Sequence, residues 1–323
     1  MENPSLWAFC AHVKLSIRVM LVSMGFLTNS VLAVGATGVG TLAYGMAEAQ
    51  AYTVRNLDLS LLPVGSEPIR ILHISDLHIT PAQTRKINWV KSLAKLEPDF
   101  VVGTGDFLAH KLAVPAVVEA MDELLDIPGA FVLGSNDYFA PTIKNPLMYF
   151  NTAREIQTVG QALPTSDLVD ELTDAGWLDL NNKQSLAEIN GIKFHFRGTD
   201  DPHINRDNYA AVAGPFESNT FRFGVTHAPY RRVLESFASD NADLVLAGHT
   251  HGGQICIPFY GALVTNCDLP LGQAKGFSTF GENEMPLHVS AGVGTSPFAQ
   301  VRIACRPEAT LITLSAKRIK LKS

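Results

Sequence analysis

The sequence predicts an α/β domain behind an apolar membrane segment, and three observations carry that prediction. Short β-branched apolar runs alternate with amphipathic stretches from Ile69 onward, as strands and helices do when they follow one another. Polar residues cluster directly after several of these runs, where α/β sheets place ligands beyond the carboxyl ends of their strands. From Val19 to Ala47 the chain has no Lys, Arg, Asp or Glu, a run long enough to span a bilayer.

Taken in order, residues 1–18 read as a cytoplasmic tail, 19–47 as a transmembrane anchor, 48–68 as a linker and 69–323 as the folded domain. Lys14 and Arg18 flank the apolar run on its N-terminal side, and Glu48, Arg55 and Asp58 follow it. The positive-inside bias therefore leaves the N-terminus in the cytoplasm and the domain outside, as a single-pass protein of the cell membrane. A cleaved secretory signal and an apolar core helix compete with this reading. The run exceeds a normal signal core, which favours the anchor.

Within the domain, Ile69–Ile74 reads as a strand, Thr84–Leu96 as a helix, Phe100–Thr104 as a strand, Val114–Leu125 as a helix and Ala130–Leu133 as a strand. A polar stretch from Pro141 to about Pro164 interrupts the pattern, and Asp167–Ala175 reads as a further helix. Gln184–Ile189 and Lys193–Phe196 are joined by Asn190-Gly191, a dipeptide that favours a hairpin turn. Strands are also expected at Phe221–Val225, Leu244–Ala247, Leu287–Ser290 and Thr310–Leu314.

Composition excludes several functions. With 46% hydrophobic and 17% charged residues, a chain of 323 residues can bury a full core. A net charge of -6 without a Lys/Arg-rich run argues against nucleic acid as a partner; a small phosphorylated substrate held by metal ions remains compatible. Cys10, Cys256, Cys267 and Cys305 show no Cys-x-x-Cys spacing, so free thiols are the better reading.

The chemistry-bearing residues sit after the predicted strands. Asp76-Leu77-His78 follows the first, and an extended backbone would aim both side chains to one face. Gly105-Asp106 ends the second, and His227 follows Phe221–Val225. Gly248-His249-Thr250-His251-Gly252 follows Leu244–Ala247 and is expected to present two imidazoles from an extended segment. Each short motif alone is more often a turn. Together, carboxylate and imidazole without thiolate suit a catalytic site for Zn, Mn or Fe.

In this order, with Gly134-Ser135-Asn136-Asp137 between Asp106 and His227, the motifs resemble those of the calcineurin-like metallophosphoesterases from about Ile69 to Ile257. The endings Val289–Ser296 and Cys305–Glu308 resemble the N-terminally membrane-anchored bacterial branch. The resemblance implies a sandwich of two β-sheets flanked by helices, and two divalent metal ions. Asp76, His78 and His251 would bind one ion, His227 and His249 the other, and Asp106 would bridge them. Such a pair polarises a phosphoryl oxygen and provides a bridging hydroxide as nucleophile for phosphomonoesters or phosphodiesters. Asp106, Asn136 and His227 would then be the catalytic residues.

The sequence departs from the family at the fourth motif, usually Gly-Asn-His followed by an acid. Ser135 stands at the ligand position and Asn136 at the histidine position; either Ser135 or water coordinates weakly, or the turn rearranges so that Asn136 reaches the metal, and Asn136 is the expected ligand, since a side-chain carbonyl is the better neutral oxygen donor. An amide cannot donate a proton at neutral pH, so the expectation is either a metal-bound water or another histidine as general acid, with His110 and His203 as candidates, or a preference for substrates whose leaving group needs little protonation. Arg206, in the charged loop Asp200–Asp207, is a candidate phosphate fork. That loop is otherwise expected to be a solvated surface feature, and Phe107, Tyr138 and Phe139 to wall the pocket or join the core. An anchored enzyme suits a lipid-derived, envelope or extracytoplasmic nucleotide substrate, and the anchor alone does not choose among them. A non-catalytic metal-stabilised binding protein and a one-metal amide hydrolase are the rival readings.

Overall fold

The apolar runs after Ile69 bury both of their faces, and this decides the layering. In the computed structural model, which describes residues 35–142 and 160–317, Ile69 and Ile71 point one way while Leu72 and Ile74 point the other, the period-two alternation of a strand. The described chain begins in helix α1 (residues 35–48). It continues through β1 (Thr53–Leu62), β2 (Ile69–Ile74), α2 (Thr84–Lys91), β3 (Phe100–Thr104), α3 (Val114–Leu125), β4 (Gly129–Val132), α4 (Ser135–Tyr138), α5 (Thr165–Asp174) and β5 (Leu178–Asp179). The second half holds β6 (Gln184–Ile189), β7 (Ile192–Gly198), β8 (Phe221–Val225), α6 (Arg231–Ser239), β9 (Leu244–Ala247), β10 (Cys256–Ile257), β11 (Gly261–Ala262), β12 (Gly276–Phe280), β13 (Met285–Val289) and β14 (Glu308–Ala316).

Two six-stranded sheets form, in the orders β1-β14-β2-β3-β4-β5 and β12-β13-β9-β8-β7-β6. Phe100, Val102, Phe194, Phe196, Phe223, Leu246 and Ile312 fill the space between them, with Phe100 stacked on Phe196 at 5.0 Å. The outer face of the first sheet is covered by Val90 of α2, Val117 and Met121 of α3 and Leu168 of α5. Val233, Leu234 and Phe237 of α6 cover Val245 and Leu287 of the second. Strands β2, β3 and β4 run parallel, as do β7, β8, β9 and β13. Each sheet therefore delivers several strand ends, with the loops that follow them, to one edge.

The expected hairpin forms β6 and β7, with Asn190 (φ 47°) and Gly191 (φ 78°) both left-handed, as its two-residue turn requires. The helix expected over Thr84–Leu96 is α2 followed by a 3-10 turn at Ser92–Leu96, ended by Glu97 at φ 46°. Residues 48–68, read as a linker, contain β1, which pairs in parallel with β14 from Thr53 opposite Glu308 to Leu62 opposite Ala316. The alternation Leu57-Asp58-Leu59-Ser60 is what lets this segment bury one face.

By its internal contacts the chain divides into residues 1–46 and 47–323. Residues 1–18, expected as a cytoplasmic tail, and the first part of the expected transmembrane run, residues 19–34, lie outside the described residues, as do residues 143–159 and 318–323. Among the described residues no helix is long and apolar enough to cross a membrane.

Candidate metal centre

Loops after β2, β3, β4, β8 and β9 carry the candidate ligands. The first two are zipped together: Asp76 N donates to Gly105 O (2.9 Å), His78 N to Asp106 O (2.9 Å) and Ile79 N to Phe107 O (2.9 Å). This ladder forces an unusual backbone. Asp76 (φ 51°), His78 (φ 43°), Asp106 (φ 55°), His249 (φ 68°) and His251 (φ 48°) are all left-handed, a region that costs a non-glycine residue strain and that collects at functional sites. The extended backbone expected for Asp76-Leu77-His78 and His249-Thr250-His251 is therefore corrected. The side chains converge because the chain turns sharply at each of them, and Thr250 between the two histidines is right-handed helical.

The convergence is close. His78 Nε2 lies 3.1 Å from His251 Nε2 and 3.4 Å from Asp106 Oδ2. The same Asp106 oxygen is 3.6 Å from His227 Nε2, which is 3.3 Å from His249 Nδ1. His251 Nε2 lies 3.5 Å from Asp76 Oδ1. Asp76, His78 and His251 form one group of donors within 4.8 Å of one another, and Asp76, Asp106 and His227 form a second. Ligand-sized space is kept by glycines: a Cβ on Gly134 would collide with Asp106 Oδ1 and stand 2.7 Å from His227 Nε2, and one on Gly292 would stand 2.7 Å from the Asp76 Cβ.

Hydrogen bonds on the far side of the rings say what the near side offers. His227 Nδ1 donates to Thr104 O (2.7 Å), His249 Nε2 to Asn266 O (3.2 Å) and His251 Nδ1 to Gly294 O (3.2 Å). In the neutral tautomer so assigned, the opposite nitrogen of each ring turns a lone pair into the cluster. His78 Nε2 and His251 Nε2 lie 3.1 Å apart and His227 Nε2 and His249 Nδ1 3.3 Å apart, close enough for each pair to share a proton or to face one cation. Nitrogen and oxygen donors of this kind fit divalent transition metals.

The electrostatics point the same way. Burial takes the pKa of His78 down to about 4 and those of His249 and His251 well below the ordinary histidine value, so these rings are neutral at pH 7. Burial also opposes charge on His227, but Asp106, Asp201 and Asp76 outweigh it and hold its pKa at about 9. In the metal-free protein a proton thus stands where a cation would serve. Asp76 is raised to about 6 by burial and by Asp106, whereas the histidines and Asn136 bring Asp106 below the usual carboxylate range despite its burial.

At the fourth motif, α4 brings Asn136 and not Ser135 onto Asp106: the Asn136 backbone N–H donates to Oδ1 (2.7 Å) and its side-chain amide to Oδ2 (2.7 Å). His203 also lies at the cluster, its ring 4.4 Å from that of His249 and its Nδ1 3.1 Å from the Tyr230 hydroxyl. Its loop is the expected solvated surface only in part: Asn205 and Arg206 are exposed, whereas Asp200 and Asp201 are buried. Arg206 is tied back, with Nε donating to Asp200 Oδ2 (3.1 Å) and its guanidinium 4.1 Å from the Tyr138 ring centroid. His110 is exposed and accepts a local bond from Leu112 N (3.1 Å). Phe107 is wholly buried in the core beneath α3 and does not wall the site.

Three supporting residues escape a reading by motif. Asp137 accepts from the backbone N–H groups of Asp106, Phe107, Leu108 and Gly134 at 2.7–3.0 Å, binding the second and fourth motifs together; its place as the acid of Gly-Ser-Asn-Asp is the one available signal. Lys86, buried in α2, donates to Leu77 O (2.8 Å) and His78 O (3.1 Å). Arg302, fully buried, donates through Nη2 to Ala291 O (2.7 Å), Gly292 O (3.1 Å) and Gly294 O (2.7 Å). No spacing rule singles out either cation.

The same stretch matches a known family. The model of the calcineurin-like phosphoesterases matches residues 69–253. The uncharacterised metallophosphoesterase YkuE of Bacillus subtilis is 25% identical, over 94% of this chain and 99% of its own. The phosphodiesterase YaeI of Escherichia coli is 24% identical over 79% and 86%, and the UDP-2,3-diacylglucosamine pyrophosphatase LpxG of Chlamydia trachomatis is 25% identical over 76% and 83%. With the family model spanning more than half of the sequence and the donor cluster at its strand ends, the chain belongs to the calcineurin-like phosphoesterase family and is a metal-dependent hydrolase of phosphoester bonds.

Proposed function

We propose that the protein is a binuclear hydrolase of phosphodiester or diphosphate bonds in a membrane-borne, lipid-derived substrate. The observation that carries the binuclear reading is the single Asp106 oxygen lying 3.4 Å from His78 Nε2 and 3.6 Å from His227 Nε2. One carboxylate oxygen faces both halves of the donor set, as a bridging ligand must. Asp76, His78 and His251 would hold one divalent ion, His227, His249 and Asn136 the other, and Asp106 both.

Such ions supply charge neutralisation at the phosphoryl oxygens and activation of the attacking water. The chain's own groups do the rest. Far-side bonds to Thr104, Asn266 and Gly294 hold three rings in one tautomer, Asn136 orients the Asp106 carboxylate, and His203 borders the cluster on the side of His249. The lipid-derived substrate is supported by the name of the LpxG relative, whose substrate is a diacylated sugar nucleotide. Anchoring by the uncharged run 19–47 is supported by Val39, Leu42 and Met46, which α1 leaves exposed, and would set the domain on the outer face of the cell membrane.

Asp106→Asn tests the bridge. Metal analysis is expected to show loss of both ions, and hydrolysis of bis(p-nitrophenyl) phosphate is expected to fall at least about a hundredfold. Retention of one full equivalent of metal with activity intact would refute the shared site.

A further inference from the structure

The apolar surface around the β10–β11 hairpin has no part in the centre described above. From Gly252 to Cys267 the sequence carries no charged residue. The hairpin pairs Cys256 with Ala262 and Ile257 with Gly261, leaving Pro258-Phe259-Tyr260 as its tip. Phe259 is fully exposed and Tyr260 is 71% exposed, with Ile255, Ile257 and Leu263 also exposed behind them. A second uncharged segment, Ala291 to Val301, is stitched alongside: Gln254 Nε2 donates to Ala299 O (2.9 Å) and Val301 O (3.0 Å), and Ile255 bridges Ile303. It adds Phe298, 56% exposed. An uncharged patch of large side chains on an otherwise soluble fold marks an interaction surface.

The tip has a further property. Phe259 is left-handed, at φ 67°, in a three-residue hairpin loop where glycine would sit without strain. A strained phenylalanine standing wholly in solvent gains nothing from the fold that holds it, so the gain lies outside. Phenylalanine and tyrosine at the tip with isoleucine and leucine behind suit the boundary between headgroups and acyl chains. The hairpin is also joined to the centre at both ends: it starts directly after His251, and Asn266 O at its far side accepts from His249 Nε2.

We propose that this hairpin, with Phe298 beside it, inserts into the lipid bilayer and holds the metal centre against the membrane surface. The occupant is the bilayer rather than a protein because the patch offers apolar area without charge, and because the same sequence carries a longer uncharged run of bilayer-spanning length, Val19 to Ala47. The contact itself is independent of the proposed substrate; its purpose, delivery of a lipid headgroup to the donors around Asp106, rests on that reading.

The full chain, reconstituted in phosphatidylethanolamine and phosphatidylglycerol vesicles, tests it. In Phe259→Trp, the emission added to that of the native tryptophans is expected to be quenched by at least about half when the acyl chains are brominated. Unquenched emission at a water-exposed wavelength overturns the inference, as does a blue-shifted emission insensitive to bromine, which would mean a protein partner or a second copy. Phe259→Asp with Tyr260→Asp is expected to keep hydrolysis of soluble bis(p-nitrophenyl) phosphate within about twofold while slowing the p-nitrophenyl ester of phosphatidic acid in vesicles at least about tenfold. Equal effects on both substrates overturn the delivery role. Bromine quenching in the Phe259→Trp variant, without hydrolysis of the vesicle-borne ester by the unmodified chain, would remove the lipid-substrate reading and leave the membrane contact standing.

Discussion

Arg302 acts on the centre without lying among its donors. Its Nη2 gathers the carbonyls of residues 291, 292 and 294, and Gly294 O is the partner that sets the His251 ring. Burial lowers the pKa of Arg302 itself, and the carbonyls satisfy the charge that remains. Arg302→Met should therefore loosen one side of the donor set. Metal affinity measured by competition with a chelator is expected to fall about 10- to 100-fold, with activity on bis(p-nitrophenyl) phosphate recovered at saturating metal, the split expected of a positioning residue. Arg302→Lys, a single point charge in place of a planar fork, is expected to recover part of the affinity. At this scale the sequence showed the donors and hid their supports: Asp76, His249 and their kind stand in short motifs between glycines, whereas Lys86 and Arg302 stand in ordinary apolar surroundings and matter only because folding buries them.

Helix α4 is a single turn, and its length decides the chemistry available after β4. Its first residue, Ser135, stands at the family's usual ligand position, yet the turn puts Asn136 on Asp106 while Asp137 reaches back to the N–H of Gly134 (2.9 Å), as an acid at the third position of a helix does. The residue where the family carries its proton-donating histidine thus has no proton to give. Across aryl phosphodiesters the hydrolysis rate is expected to rise steeply with leaving-group acidity; a flat series in the unmodified protein would mean that another group supplies the proton. Elements with strong local signals were legible beforehand: β8 and β9 lie where their short apolar runs are, and Asn190-Gly191 specified its own turn. The two-residue strands β10 and β11 were not, since the run Ile255–Leu263 has no polar alternation to mark a buried face.

Across the whole molecule the two sheets meet at a pair of buried histidines. His73 of β2 and His288 of β13 share a hydrogen bond of 2.9 Å between their Nδ1 atoms, and His73 Nε2 lies 2.9 Å from Thr104 Oγ1. Burial lowers the pKa of His288 to about 4 and that of His73 well below the ordinary value. A histidine whose folded pKa lies below 6.5 leaves the unfolded chain to bind the proton first as pH falls. The stability it contributes is present above about pH 6.5 and is lost on the way down to about pH 4. For His288 the loss amounts to about 3 kcal/mol across that window. Urea unfolding of the metal-free protein at pH 7 and pH 4 should show His288→Gln losing less stability than the unmodified chain, by roughly that amount.

The α/β class, most strand positions and the candidate donors are readable along the chain, because each depends on residues close together: a two-residue period, a turn dipeptide, a carboxylate two positions from an imidazole. Tertiary structure alone decided that β1 belongs to the first sheet beside β14, that the donor loops bend left-handed rather than run extended, and that Arg302 and Lys86 hold them there. Those features arise where segments far apart in the chain exchange backbone hydrogen bonds and exclude water together, and no local pattern records a partner that only folding supplies.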